Sequence, residues 1–221
     1  MKIVLVLFEG ITALDIVGPY EVLSRVPGAE VVFAGPRVGL VRTDNRVLGM
    51  QVDVALRDVE HADVLLVPGG YGVDVLCADP ELLAELRRLD AGARFTTSVC
   101  TGALVLGAAG LLRGLPATTH WAYFDALATH GATPVSERVV RRGRVITAAG
   151  VSAGIDMALT LAAELVGEEL ARTIQLAIEY DPEPPFRDGH PRSAAPELVE
   201  RVLAAGAARR AARAAQNQAC R

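Results

Sequence analysis

Cysteine and histidine are both scarce in this chain. There are three cysteines, Cys77, Cys100 and Cys220, and four histidines, His61, His120, His130 and His190. An odd cysteine count makes a poor disulfide framework, and no cysteine spacing matches a metal-ligand pair. Neither HExxH nor CxxC occurs, so no metal site is expected. Charge of one sign is also lacking. The 22 basic and 26 acidic side chains leave a net charge of −4, which argues against a general nucleic-acid binder. No apolar run is long enough to span a membrane. The N-terminal run, Ile3-Val4-Leu5-Val6-Leu7-Phe8, meets Glu9 too soon for a signal h-region. A cytoplasmic, soluble protein without cofactor or membrane contact is the expectation.

Apolar residues make up 51% of the 221 positions. That is enough for one well-filled domain or one domain with a small appendage. Strand-like and helix-like segments alternate, which predicts an α/β fold with a mostly parallel sheet covered by helices. Strands are expected at Lys2 to Phe8, Ala29 to Ala34, Asp63 to Val67, Arg94 to Val99 and Ala117 to Thr119. Hairpins are expected over Val38 to Val54 and around Gly143. Helices are expected at Asp15 to Val26, Asp79 to Ala91, Thr101 to Leu112, Trp121 to His130, Ser152 to Val166 and Glu168 to Glu179. Four prolines between Asp181 and Ser193 predict an irregular connection. Pro196 to Arg221 reads as an Ala/Arg-rich helix, to about Ala205 at least, with a solvated or frayed end. The domain reading is therefore 1–180, followed by a connection and tail over 181–221.

The most informative stretch is Phe95-Thr96-Thr97-Ser98-Val99-Cys100-Thr101-Gly102-Ala103. A buried strand breaks at one cysteine and a helix follows at once. Such a turn exposes a nucleophile, and the N–H groups of the helix are expected to favour the thiolate. Three other loops are expected at strand ends: Gly10 to Gly18 with Asp15, Pro68-Gly69-Gly70-Tyr71, and Thr118-Thr119-His120-Trp121. Ligands gather outside the carboxyl ends of parallel strands, so the four loops are expected along one edge. Each has a plainer reading. Asp15 suits a helix cap, Gly69-Gly70 a turn, Cys100 a small buried hydrophobe and His120 a satisfied interior histidine. As a chemical set, Asp15 moves a proton, the Gly69 and Gly70 N–H groups receive developing negative charge, and Cys100 attacks.

With these residues quoted, the chain resembles the DJ-1/PfpI (ThiJ/PfpI) superfamily from Lys2 to roughly Glu179. The carriers are Asp15-Ile16-Val17-Gly18-Pro19, Val67-Pro68-Gly69-Gly70, Ser98-Val99-Cys100-Thr101-Gly102-Ala103 and Ala117-Thr118-Thr119-His120-Trp121. The combination of Asp-x-x-Gly-Pro, Cys-Thr-Gly and Thr-Thr-His-Trp is similar to the isonitrile hydratase branch. The resemblance implies a flavodoxin-like sheet of the class I glutamine-amidotransferase type and a homodimer. By position it implies that Cys100 is the elbow nucleophile and Asp15 the acid beside it, where the DJ-1 and protease branches usually carry Glu. Gly70 and the Thr101 backbone match the oxyanion pocket, with Gly69 next to them. Thr101 stands where the protease branch has histidine, which speaks against peptidase activity. His120 and Trp121 match the pocket lining. The implied function is cysteine-dependent hydration of isonitriles, with Thr101 helping to hold ligand or water. Two alternatives remain: a ligand or thiol sensor like those of AraC-type regulators, and a glyoxalase- or deglycase-like enzyme. The residues after Glu179 are too few for a regulator's helix-turn-helix module.

Overall fold

The computed structural model describes residues 1–219; Cys220 and Arg221 lie outside them. By its contacts the chain divides into two units, Met1–Tyr180 and Asp181–Arg221. The first holds strands β1 (Lys2–Val6), β2 (Glu30–Gly35), β3 (Gly39–Arg42), β4 (Gly49–Val52), β5 (Val54–Ala55), β6 (Val64–Val67), β7 (Phe95–Val99), β8 (Pro116–Ala117), β9 (Thr133–Pro134), β10 (Val139–Arg142) and β11 (Val145–Ala148). Its helices are α1 (Ala13–Leu23), α2 (Val73–Cys77), α3 (Pro80–Gly92), α4 (Gly102–Ala108), α5 (Phe124–Thr129), α6 (Ala153–Val166) and α7 (Glu168–Ala177). The second unit holds α8 (Pro196–Ala219).

Seven strands form one sheet in the order β10-β11-β7-β6-β1-β2-β5. Every neighbouring pair is parallel except β10 with β11. The central strands carry apolar side chains on both faces: Ile3 to Val6 and Val64 to Val67 are fully buried. That is what helices on both faces of a parallel sheet require. α1 packs on α6, and α6 on α7; α2 and α3 pack with α4. Chain order reverses between β1 and β6, since β2 lies on one side of β1 and β6 and β7 on the other. The loops after β1 and β6 therefore flank a topological switch point, where α/β sheets bind ligands.

Local chemistry explains most element ends. Asp79 caps α3 by accepting from the N–H groups of Glu81 and Leu82, with Pro80 at the first helical position. At the opposite sheet edge, buried Asp90 accepts from Thr96 Oγ1 at 2.6 Å and from two Arg144 guanidinium nitrogens at 2.8 and 2.6 Å. Such a forked, charge-assisted contact is among the stronger polar ones. The predicted hairpins are present as β3–β4 and β10–β11.

Two expectations need correction. The strand predicted at Ala117 to Thr119 is only Pro116–Ala117, and it pairs with β9 outside the main sheet. The Thr118 to Trp121 loop therefore does not follow a strand of the main sheet. The helix predicted to Leu112 stops at Ala108, because Gly110 turns left-handed at φ 81°. Glycine enters that conformation without steric cost and so ends helices. α8 runs to Ala219, within the expectation of a helix to at least about Ala205, as its alanine content favours. Among the described residues no helix is long and apolar enough to cross a membrane. No group of three or more His, Cys, Asp or Glu among them is arranged to hold a metal ion.

Candidate active site

Cys100 follows β7 directly and has φ 56°. This is the left-handed region, which a side chain enters only under constraint. The constraint is visible. The Cys100 N–H donates to Ala148 O and Ala149 O at 3.1 and 3.0 Å, and its carbonyl accepts from Thr119 Oγ1 at 2.8 Å. The turn lifts the side chain out of the strand path, yet the residue remains buried.

Asp15 is fully buried in the first turn of α1, but it does not cap that helix. Its Oδ2 accepts the Gly69 N–H at 2.9 Å across the switch point. Oδ1 is buried without a hydrogen-bond partner of good geometry. The carboxyl is coupled instead to the Cys100 thiol, which donates towards it. Burial raises the Asp15 pKa to about 7; the Gly69 N–H and the Cys100 thiol oppose the rise, and nearby Asp44 adds to it. The Cys100 thiol is pushed well above its ordinary range, first by burial and then by the Asp15 charge. N–H groups of Val151 and Thr101 and the Thr101 hydroxyl pull the other way. Full burial outweighs these dipoles, and α4 has only seven residues. Burial and the Asp15 charge thus work against the thiolate that the helix N–H groups were expected to favour.

The Gly69-Gly70 loop also departs from expectation. Gly70 N–H donates to Thr101 Oγ1 at 3.0 Å, and Gly69 N–H is taken by Asp15. Both donors expected to receive developing negative charge are therefore already engaged. The loop needs glycine for close approach rather than for open donors. A Cβ on Gly70 would meet Gly10 O at 2.4 Å, with φ at 136°; one on Gly69 would meet Thr101 N and Oγ1 at 2.6 Å.

His120 and Trp121 lie at the start of the segment after β8, with His120 against the loop after β11. A Cβ on Gly150 would be 2.7 Å from His120 Cδ2, so the ring rests on the loop after β11. Its Nδ1 accepts the Ala122 N–H at 3.3 Å, leaving the proton on Nε2. Burial lowers its pKa, so the ring is neutral. The ring stacks on Trp121 at 5.4 Å and meets Tyr123 edge-on at 5.9 Å. Both are favoured aromatic arrangements.

The structure brings Asp15, Gly69, Gly70, Cys100 and Thr101 together and sets His120 and Trp121 beside the loop that touches Cys100. Sequence reasoning missed that loop, Ala149 to Ser152, whose Val151 N–H reaches the sulfur and whose Val151 φ is 37°. The signal was present. Val145–Ala148 is both a hairpin arm and an inner strand parallel to β7, and Ala-Gly-Val-Ser-Ala-Gly follows it.

A doubly wound α/β domain with cysteine on a left-handed strand-to-helix turn, facing a buried carboxyl from the first turn of α1, defines a cysteine-elbow protein. The chain belongs to the DJ-1/PfpI family, whose sequence signature matches residues 1–164. It is 47% identical to isonitrile hydratase of Pseudomonas putida over 90% of this chain and 87% of that one. It is 36% identical to the HTH-type transcriptional regulator CdhR of Pseudomonas aeruginosa, over 56% of this chain and 38% of that one. The crystal structure of a ThiJ/PfpI family protein from Pseudomonas syringae superposes with a TM-score of 0.91 at 37% identity, over 95% of this chain and 87% of that one.

Proposed function

We propose that the protein hydrates isonitriles to N-substituted formamides, with Cys100 as nucleophile and Asp15 as proton carrier. The observation that carries this reading is the buried Asp15–Cys100 pair beside a Gly69-Gly70 loop whose N–H groups are already engaged. Hydrolysis of a peptide or ester builds charge on oxygen and needs free donors there. Addition to an isonitrile builds charge on the terminal carbon, which needs a proton instead. A buried carboxyl with a pKa of about 7 can relay one there from the thiol. The kinship to isonitrile hydratase of Pseudomonas putida supports the same substrate class.

The steps balance. The S–H bond breaks as sulfur bonds to the terminal carbon, and the proton passes through the Asp15 carboxylate to that carbon. This gives a thioimidate, R–N=CH–S. Water adds across C=N, its oxygen to carbon and one proton to nitrogen. The C–S bond then breaks as C=O forms, and the hydroxyl proton returns to sulfur through Asp15. The sum is R–NC plus water to R–NH–CHO. Thr101 holds Gly70 and the sulfur, and Trp121 with neutral His120 lines the approach for an apolar substituent.

The competent pair holds one proton, thiol with carboxylate; with two protons it has no base. The Asp15 pKa is raised to about 7, and that of Cys100 stands above the ordinary thiol range. Hence kcat/KM should climb as pH passes through about 7 and hold through about pH 9. Incubation with alkyl and aryl isonitriles, methylglyoxal and model peptides tests both parts. Formamide formed with this profile supports the reading. No formamide from any isonitrile, or a profile flat from pH 6 to 8, overturns it.

The kinship to the regulator CdhR favours a second reading, a sensor whose Cys100 binds ligand or is oxidised. No turnover on that panel, with peroxide-driven mass gain confined to the Cys100 peptide, would favour it. The reading takes the working form as a cytoplasmic homodimer. Half-exposed Leu14, beside Val17, Gly18 and Ile155 in a cleft of α1 and α6, suits such a contact. Light scattering at micromolar concentration should give twice the chain mass; the mass of a single chain would overturn the dimer.

A further inference from the structure

The Ala149 to Ser152 loop delivers a backbone N–H to Cys100, and Val151 sits there at φ 37°. A β-branched residue holds that conformation only when its surroundings enforce it. A single residue, Arg138, brackets the loop at both ends. The Arg138 carbonyl accepts the Ala149 N–H at 2.9 Å. The Arg138 guanidinium donates to Ser152 Oγ at 3.2 Å and, through Nε, to Asp156 Oδ2. Tyr180 Oη donates to Asp156 Oδ1 at 3.1 Å, fixing the carboxylate that fixes Arg138. At the start of the loop, Ala149 O and Ala148 O receive the Cys100 N–H.

We propose that Arg138, seated by Asp156 and Tyr180, is a positioning residue: it fixes the Ala149–Ser152 loop against Cys100 and so sets how readily the thiol reacts. This rests on the reading of Cys100 as the reactive group. Arg138 is half exposed and touches no reacting atom. Its pairing with Asp156 lies near the surface, where such pairs add little to global stability. Its worth to the site is geometric. When the loop relaxes, the Val151 N–H leaves the sulfur, and burial and the Asp15 charge act on the thiol less opposed. Asp15, itself under the influence of Asp44, is the charged group that acts on Cys100; His120, beyond Gly150, is neutral. Asp156 and Tyr180 are the titratable groups acting on Arg138.

Alkylation of Cys100 in the full chain tests this without depending on isonitrile turnover. The rate of iodoacetamide labelling is followed from pH 6 to 10 by peptide mass spectrometry, which separates Cys100 from Cys77 and Cys220. Arg138→Ala should slow Cys100 labelling at pH 8 by about 3- to 10-fold, with its profile displaced to higher pH, because the thiolate is the species that reacts. Arg138→Lys keeps a charge for Asp156 but lacks the fork that also reaches Ser152. It should fall between Arg138→Ala and wild type, and it serves if Arg138→Ala folds poorly. Arg141→Ala breaks the Arg141–Glu164 ion pair on the same hairpin and should leave the profile unchanged. Profiles of Arg138→Ala and Arg138→Lys that superimpose on wild type would overturn the assignment, as would an equal displacement in Arg141→Ala. A wild-type Cys100 that stays unlabelled at every pH would overturn the reading of the reactive thiol itself.

Discussion

Cys100→Ala should abolish formamide formation, a loss of roughly 10^3-fold or more, because no second nucleophile stands in the site. The fold should survive. Alanine keeps the Cβ and the left-handed backbone at φ 56°, so the strain of the turn is unchanged. The Cys100 N–H bonds to Ala148 O and Ala149 O and the Thr119 bond to the Cys100 carbonyl involve no thiol. Thermal unfolding should therefore shift by only a few degrees, as for a change of about 1 kcal/mol. Cys100→Ser is the sharper control. Its hydroxyl can accept from the Val151 and Thr101 N–H groups that now face sulfur. A serine in this site has no stronger base than a carboxyl of pKa about 7, so Cys100→Ser should be as inactive as Cys100→Ala. Either variant retaining a tenth of wild-type turnover would remove Cys100 from the mechanism.

Most of this architecture was legible because local signals and tertiary packing agree. The apolar runs of Ile3 to Val6 and Val64 to Val67 are strands buried on both faces, and Asp79-Pro80 opens a helix as its chemistry dictates. Pro116–Ala117 shows where agreement ends. Its residues suit a strand, but its partner is the short Thr133–Pro134 segment, a choice made by chain packing rather than propensity.

The site was legible in its residues but not in its electrostatics. Asp15, Gly69, Gly70, Cys100 and Thr101 were named from loops expected at strand ends, and they do meet. What the Gly69 and Gly70 N–H groups donate to depends on contacts 54 and 31 residues away in the chain. Spacing carries no record of such bonds. The upward push on the thiol likewise comes from its burial, which works against the short helix behind it. Arg138 gave no signal at all, since a lone arginine before a hairpin arm looks like ordinary surface charge.

Asp15→Asn should exchange activity for stability. In the folded chain the carboxyl has a pKa of about 7 against an ordinary value of 3.8, so the folded state binds the extra proton between those values. Stability is therefore full at low pH and falls as pH rises through about 7. About three pH units correspond to a penalty on the order of 4 kcal/mol above neutrality. Asparagine carries no charge to bury, and its amide oxygen can still accept the Gly69 N–H. Its amide N–H groups take the place of the unpartnered Oδ1. Left without acceptors, they cost about 1–3 kcal/mol. The net gain at pH 8 is about 1–3 kcal/mol; towards pH 4, where the wild-type penalty is gone and the amide cost remains, it should reverse to a loss of about 1–3 kcal/mol. Chemical unfolding of both proteins at pH 4, 6 and 8 reads this directly. A difference that stays constant across those pH values would mean that Asp15 is not a buried, proton-binding carboxyl. Turnover should move the opposite way, dropping roughly 10^2- to 10^4-fold, because the amide cannot carry the thiol proton to carbon. The stability that wild type gives up at neutral pH is the cost of keeping a proton carrier in a dry site beside Cys100.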